Sequence, residues 1–283
     1  MKTTKAVVKP ETIAKVLTFS FIASYLFVMV FPVYWMFTGA FKEDTEIYDP
    51  TAIFPWNPTL KYFLPPIFDP IYLRWLANSA IVAVSVSFIT VMIAIPAAYS
   101  LSRSTGRLAS ITRRLLIFGY IFPPTFLVVG YAKLLVTFKL INTLIGLILA
   151  HISFTLPYVT YLILSYMFSI PRDLDEALLV DGYSRWHILF KLVVPLSFPV
   201  LITAIIWTFM WSWNEVLYAL VILNEKTQLT MPIGLNTLQG GEISPWGQVF
   251  ALSLIYTIPP LVLFYALRRY YITGVTKGAV KVA

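Results

Sequence analysis

Residues 76–102 read LANSAIVAVSVSFITVMIAIPAAYSLS, with no charged side chain between Arg74 and Arg103. A helix needs roughly 18–20 apolar residues to cross a ~30 Å hydrocarbon core, and Leu76–Ser102 exceeds that while carrying an arginine at each end. A soluble helix of this length would show a polar face, and this one shows none. The segment reads as a membrane span, and the rest of the chain is read outward from it.

Further runs of the same kind are Val16–Phe37, Leu115–Ala132, Leu140–Pro171, Leu192–Asn214 and Ile243–Leu267. Together with Leu76–Ser102 they predict an all-α membrane protein of six transmembrane helices. Of the 283 residues, 59% are hydrophobic and 12% charged, about half the charge of an ordinary soluble domain. The first run follows Lys2, Lys5, Lys9 and Lys15, but it is too long for a signal peptide core. Pro32, Tyr34 and Trp35 occupy the zone where small residues would mark cleavage. It is read as a retained span. The expected organisation is an N-terminal tail over 1–15, a single transmembrane domain over 16–268 and a C-terminal tail over 269–283.

The net charge of +8 is distributed by connection. The N-terminal lysines, Arg103, Arg107, Arg113 and Arg114 after the second run, Arg172, Arg185 and Lys191 after the fourth, and Arg268, Arg269, Lys277 and Lys281 at the end alternate along the chain. They make up most of its 21 lysines and arginines. The intervening connections collect acids instead: Glu43, Asp44, Glu46, Asp49 and Asp69. The positive-inside rule then places both termini in the cytoplasm of a multi-pass protein of the cell membrane. The basicity is topological, so no nucleic-acid partner is expected; membrane lipid is.

Much chemistry is missing. There is no cysteine, no G-x-x-x-x-G-K-[ST] phosphate loop, and the two histidines, His151 and His187, lie too far apart for a local metal motif. His151 stands alone in its span and is read as hydrogen-bonded structure rather than a proton relay. Glu215 lies toward the outer part of the fifth run. Secondary carriers bury acids at mid-membrane, and none stands out. The chain is read as a non-enzyme, and any uphill transport as driven by something outside it. Kinking prolines at Pro32, Pro96, Pro123–Pro124, Pro157 and Pro259–Pro260 are tolerated where neighbouring helices cover the freed carbonyls. The connection Leu223–Gln248, polar and glycine-rich, reads equally as a flexible finger toward a soluble partner and as a solvated loop.

One connection is organised. Pro171–Pro195, PRDLDEALLVDGYSRWHILFKLVVP, sets Asp173, Asp175 and Glu176 at the start of a short helix, where acids favour the helix dipole. Gly182 suits the left-handed residue that ends it, and Ser184 suits the N-cap of a second helix. The residues alone leave two readings open: an amphipathic connector resting on lipid headgroups, and a docking element for a soluble partner.

Glu176-Ala177, Gly182 and, nine residues on, Leu192-Val193-Val194-Pro195 resemble the E-A-A-x3-G-x9-I-x-L-P signature of binding-protein-dependent ABC importer permeases. Leu178 replaces the second Ala of that signature, Leu192 its Ile and Val194 its Leu. Asp181-Gly182 resembles the carbohydrate branch. Asn78-Ser79, Ala97-Ala98-Tyr99-Ser100 with Arg103, and Trp213-Asn214-Glu215 fall at the spacing seen in that branch. Gly274 to Lys281 is similar to the G-x-T-x-G-A-V-K ending of the maltose-type second permease subunits.

The resemblance implies a type I importer permease fold with a core over about 72–268 and a coupling loop over 171–195. It implies that Glu176 pairs with a basic group of an ATP-binding subunit, that Ala177 and Leu178 pack into its cleft, and that Asp181-Gly182 sets the turn. Gly274, Lys277 and Gly278 would reach between two such subunits. ATP and Mg would be bound by those partners, and no cofactor by this chain. A homologous second permease subunit, an extracellular solute-binding protein and a sugar substrate complete the implied assembly.

Trp207, Trp211, Asn214 and Tyr218 share one face of an unbroken helix, with Glu215 beside them. Aromatic and amide groups so arranged suit a polar solute, but interfacial tryptophans and helix packing explain the same spacing. In the maltose-type family the partner permease holds the sugar, so the resemblance implies a lining role here. The rival to the importer reading is a secondary carrier or channel working without ATPase partners; a membrane enzyme or scaffold would need clustered polar groups that the runs lack.

Overall fold

Asp69 starts the helix that carries the opening segment: its carboxylate accepts from the Ile71 amide at 2.9 Å, and Pro70 supplies the fixed first-turn φ. In the computed structural model, which describes residues 10–240 and 244–279 (side chains for 15, 17–240 and 244–269), this helix runs unbroken over Pro70–Arg103. The helices are α1 (Pro10–Gly39), α2 (Pro70–Arg103), α3 (Arg107–Ile121), α4 (Val128–Thr137), α5 (Leu144–Met167), α6 (Asp173–Val180), α7 (Arg185–Ile188), α8 (Phe198–Asn214), α9 (Leu217–Ile222), α10 (Met231–Leu238) and α11 (Trp246–Ala279). Short helical turns at Asp44–Ile47, Lys61–Phe63 and Leu64–Phe68 lie between α1 and α2, and no strand occurs among the described residues.

Among the described residues four helices, Leu17–Gly39, Pro70–Arg103, Leu144–Met167 and Trp246–Arg269, are long and apolar enough to cross a bilayer alone. A fifth crossing is available to Arg185–Leu196 with Phe198–Asn214, a pair bent by 78°. The third run departs from the single helix expected over Leu115–Ala132. Phe122 and Pro123 are extended, with ψ of 123° and 126°, because each precedes a proline, and a residue before proline is pushed out of the helical region. α3 therefore stops at Ile121, a 3-10 turn follows over Pro124–Phe126, and α4 resumes at Val128. The fifth run bends for a related reason. Pro195 and Pro199 flank Ser197, and neither can donate a helical hydrogen bond; a π-helical stretch over Leu189–Val193 precedes the bend.

The chain forms two compact units. One comprises α1 and the connection up to Phe68 with Leu238–Ile255. Its small core joins Ala40, Tyr62 and Ala251, and a Cβ at Gly39 would run into the Phe250 ring. Along the connection Lys61 pairs with Asp44 at 2.6 Å, and Tyr62 donates to the same carboxylate. Those bonds, Lys61 first, hold the Asp44 carboxyl below its usual 3.8, while burial and the carboxylate push the Tyr62 hydroxyl up to about 12.

The larger unit comprises Asp69–Thr237 with the part of α11 from Tyr256. α2, α5 and α8 form its heart. Ala94 and Ala98 on α2 are fully buried beside Val159 and Ile163 of α5 and Ala204 of α8. Small residues let helix backbones approach closely, the main source of packing energy where lipid removes the hydrophobic contrast. Thr90 and Thr155 hydroxyls bridge α2 and α5 at 3.0 Å. The stretch Leu223–Leu238 is fastened to the first turns of α2. Trp75 Nε1 donates to Lys226 O at 2.8 Å, Asn78 Nδ2 to Thr227 O and Leu229 O at 3.0 and 2.9 Å, and the Met231 amide to Ser79 Oγ at 2.8 Å. This part of the connection, read equally as a flexible finger and as a solvated loop, is fixed, with Leu229, Thr230 and Met231 buried; residues 241–243 lie outside the described residues.

Candidate functional site

α6 carries its acids as expected, but they do different work. Asp175 is 5% exposed and lies against the last turn of α2. Arg103 Nε and Nη2 donate to its two oxygens at 2.9 and 3.0 Å, and the Tyr99 hydroxyl donates at 2.8 Å. Arg103 Nη1 reaches the Met167 and Ile170 carbonyls at 3.4 and 3.3 Å, and Arg172 Nη2 donates to Ser102 O at 2.9 Å. A forked arginine on a carboxylate fixes orientation as well as distance. The base of α6 is thus bolted to α2 and to the end of α5. Leu178, half-buried, packs against the chain's own core.

The exposed side of α6 has no such ties. Glu176, Ala177 and Asp181 are exposed, and the Glu176 carboxylate has no side-chain partner among the described residues. Leu174, Leu179, Tyr183 and Trp186 of the same connection are exposed as well, and Val180 is 88% exposed. Gly182 has φ +84°, the left-handed conformation expected of it. The Tyr183 amide bonds Leu178 O at 3.0 Å and the Gly182 amide bonds Leu179 O at 3.1 Å, a Schellman closure. Ser184 caps α7, accepting from the His187 amide at 3.3 Å. A cavity of about 230 Å³ lined by Tyr99, Arg103, Arg185, Trp186 and Leu189 lies where α7 meets the end of α2.

The second group of residues does not form the continuous helical face expected. α8 ends at Asn214, Glu215 is extended (ψ 130°), and Tyr218 belongs to α9. Asn214 is exposed and spends its amide on Met210 O of its own helix at 2.8 Å. The aromatics meet through α5. Phe154 stands 6.3 Å from Trp211 and 4.6 Å from Tyr218, and Tyr158 is 4.1 Å from Trp207. His151 is not alone: its ring reaches both Ser212 and Glu215. Gly274, Lys277 and Gly278 fall on the last turns of α11, where side chains lie outside the described residues.

The sequence reading missed the Asp175 lock, having assigned Asp175 to the helix dipole. The signal was available in Tyr99 and Arg103, one helical turn apart and so on one face. It also missed the meeting of His151 and Glu215, two lone ionisable groups in apolar runs, each of which needed a partner.

Residues 90–277 match the family described as binding-protein-dependent transport system inner membrane component. The chain belongs to this family. The permease is 34% identical over 261 residues to the trehalose/maltose transport system permease protein MalG of Thermococcus litoralis, covering 90% of this chain and 92% of that one. It is 30% identical to the inner membrane ABC transporter permease protein YcjP of Escherichia coli, covering 96% and 98%. With the sulfoquinovosyl glycerol transport system permease protein SmoH of Agrobacterium fabrum it shares 32% over 254 residues, 89% of each chain. In fold it is similar to a chain of a bacterial ABC transporter involved in the import of the acidic polysaccharide alginate. The TM-score is 0.75 at 18% identity, covering 95% of this chain and 100% of that one. The permease is therefore a multi-pass, all-helical transport subunit.

Proposed function

We propose that this permease is one membrane subunit of an ATP-driven sugar importer. It pairs with a homologous second permease, two ATP-binding subunits that hold ATP and Mg, and an extracellular solute-binding protein. Relatives named for trehalose/maltose and for diacetylchitobiose support a carbohydrate substrate. Six crossings are proposed: α1, α2, the broken pair α3–α4, α5, the bent pair α7–α8 and α11. The alternation of basic and acidic connections supports cytoplasmic termini.

The observation that carries the reading is the contrast within one short helix. One side of α6 is locked by Asp175, Arg103 and Tyr99, while another side offers Glu176 with exposed Leu179 and Val180 one turn on. An apolar surface beside one unpaired acid suits a groove with a basic group, here the ATP-binding subunit. Because the base is stiff, closure of the ATPase dimer moves α2 and α5 rather than bending the joint. Trp207, Trp211 and Tyr218 line the path that this movement opens, with Glu215 held by His151 beside them and Asn214 on the Trp207 side of the last turn of α8. The chain itself breaks no bond.

In the complete importer reconstituted in vesicles, Glu176→Lys is expected to leave assembly of the two permeases intact and to abolish ATP hydrolysis stimulated by loaded binding protein. Stimulation at the wild-type level would refute the docking role, and uptake by the wild-type assembly without ATP would refute the importer reading.

A further inference from the structure

His151 projects from α5 and is 1% exposed, yet both ring nitrogens are engaged. Nδ1 lies 2.8 Å from Ser212 Oγ and Nε2 lies 3.1 Å from Glu215 Oε2. The Glu215 carboxylate also accepts from the Tyr218 amide at 2.9 Å through Oε1 and from the Ala219 amide at 3.2 Å through Oε2. A carboxylate only accepts, so Nε2 carries the proton and donates to it. Ser212 meets Nδ1 with a hydroxyl that rotates to donate or accept.

This arrangement accounts for the junction between α8 and α9. The first amides of any helix lack carbonyl partners. At the start of α9 the Glu215 side chain supplies them, so α8 ends and α9 begins without an unsatisfied amide at Tyr218 or Ala219. α9 is aimed by that start. The Tyr218 hydroxyl donates to Pro124 O at 2.6 Å, inside the break between α3 and α4, and the Tyr218 ring packs on Phe154 and, at 6.0 Å, on Tyr131. One carboxylate therefore joins an unbroken span, α5, to the α8–α9 junction and, through Tyr218, to the interruption between α3 and α4.

We infer that Glu215 is a positioning residue for translocation: held by His151, it sets where α9 starts and thereby registers Tyr218 against Pro124 and the aromatic wall. The inference rests on the proposed reading of Trp207, Trp211 and Tyr218 as path lining. His151 and Ser212 act through Glu215 and do not touch solute.

The test uses the complete importer in vesicles and measures solute moved per ATP hydrolysed, alongside assembly by gel filtration. Glu215→Gln places an amide where three donors converge, and His151→Leu removes the side donor. Both are expected to assemble at wild-type yield and to hydrolyse ATP when loaded binding protein is present, with the transport ratio down about tenfold, the scale of one hydrogen bond to a charged group. His151→Gln, whose amide nitrogen reaches the place of Nε2, is expected to recover most of the ratio. Tyr218→Phe, which removes only the hydroxyl on Pro124, is expected to reproduce part of the loss. An unchanged ratio in Glu215→Gln overturns the inference. So does equal loss in His151→Gln and His151→Leu, or loss of assembly in Glu215→Gln and His151→Leu alike, which makes the pair a folding element only. A wild-type assembly whose uptake ignores ATP would instead overturn the importer reading beneath it.

Discussion

Replacing Asp175 by Ala tests whether the coupling element is rigid. The carboxylate and the Arg103 guanidinium are 7% and 9% exposed at the side chain, so water replaces neither partner readily. The substitution removes two charge-assisted hydrogen bonds and the Tyr99 contact at once. It leaves Arg103 with only two carbonyls, at 3.4 and 3.3 Å. Breaking a buried pair from one side costs about 3–5 kcal/mol, against roughly 0–1 kcal/mol for an exposed pair. Asp175→Asn keeps acceptor capacity without charge and should fall between, at about 2 kcal/mol. Arg103→Leu combined with Asp175→Leu leaves no stranded charge and should recover much of the loss. The assay is a double-mutant cycle on unfolding of the subunit in micelles, paired with transport per ATP in the reconstituted importer. A cost below about 1 kcal/mol for Asp175→Ala, or transport per ATP unchanged despite the full cost, would refute the claim that this lock stiffens the joint.

Gly182→Val should strain the left-handed turn by about 1–2 kcal/mol, and co-purification with the ATP-binding subunits should weaken; wild-type recovery would argue that the turn is not needed for docking. The chain has no cysteine, so single cysteines report topology directly. A membrane-impermeant thiol reagent applied outside should label Asn57→Cys but not Ser184→Cys, and the reverse pattern would invert the proposed orientation. The connection after α1 should respond to pH at both extremes. Asp44 sits below its usual 3.8 because Lys61 and Tyr62 bond its ionised form, so its contribution is full above that value and fades as pH falls through the depressed one. Tyr62, raised to about 12, contributes fully below its usual 10 and is lost as pH climbs through about 12. A spin label at Asn57 should loosen on both sides, and a label equally restrained throughout would contradict this.

Short-range chemistry was legible in the sequence. Leu76–Ser102 became the interior of Pro70–Arg103, and Gly182 and Ser184 took the turn and cap their residue types require. The prolines were visible but their strength was not: Pro123–Pro124 and the Pro195/Pro199 pair break their runs rather than merely kinking them, because two nearby residues without amide donors leave no ladder to carry the helix across. Contacts distant in sequence were hidden. Asp175 finds Arg103 across 72 positions and His151 finds Glu215 across 64, and no local pattern encodes such meetings. The polar stretch after Leu223 misled for the same reason. Its carbonyls are satisfied by Trp75 and Asn78 far upstream, so a composition suited to a free loop belongs to a docked one.

Mechanically, α2 is a push-rod. Its 34 residues span about 51 Å at the α-helical rise of 1.5 Å per residue. Trp75, Asn78 and Ser79 grip the Lys226–Met231 segment near one end, and Tyr99 and Arg103 grip α6 at the other. Both attachments are hydrogen-bonded and the shaft between them is continuous helix, so a push on α6 is delivered to the far loop with little slack. A probe on Thr227, one membrane thickness away, would then register a partner docking, as proposed, at Glu176.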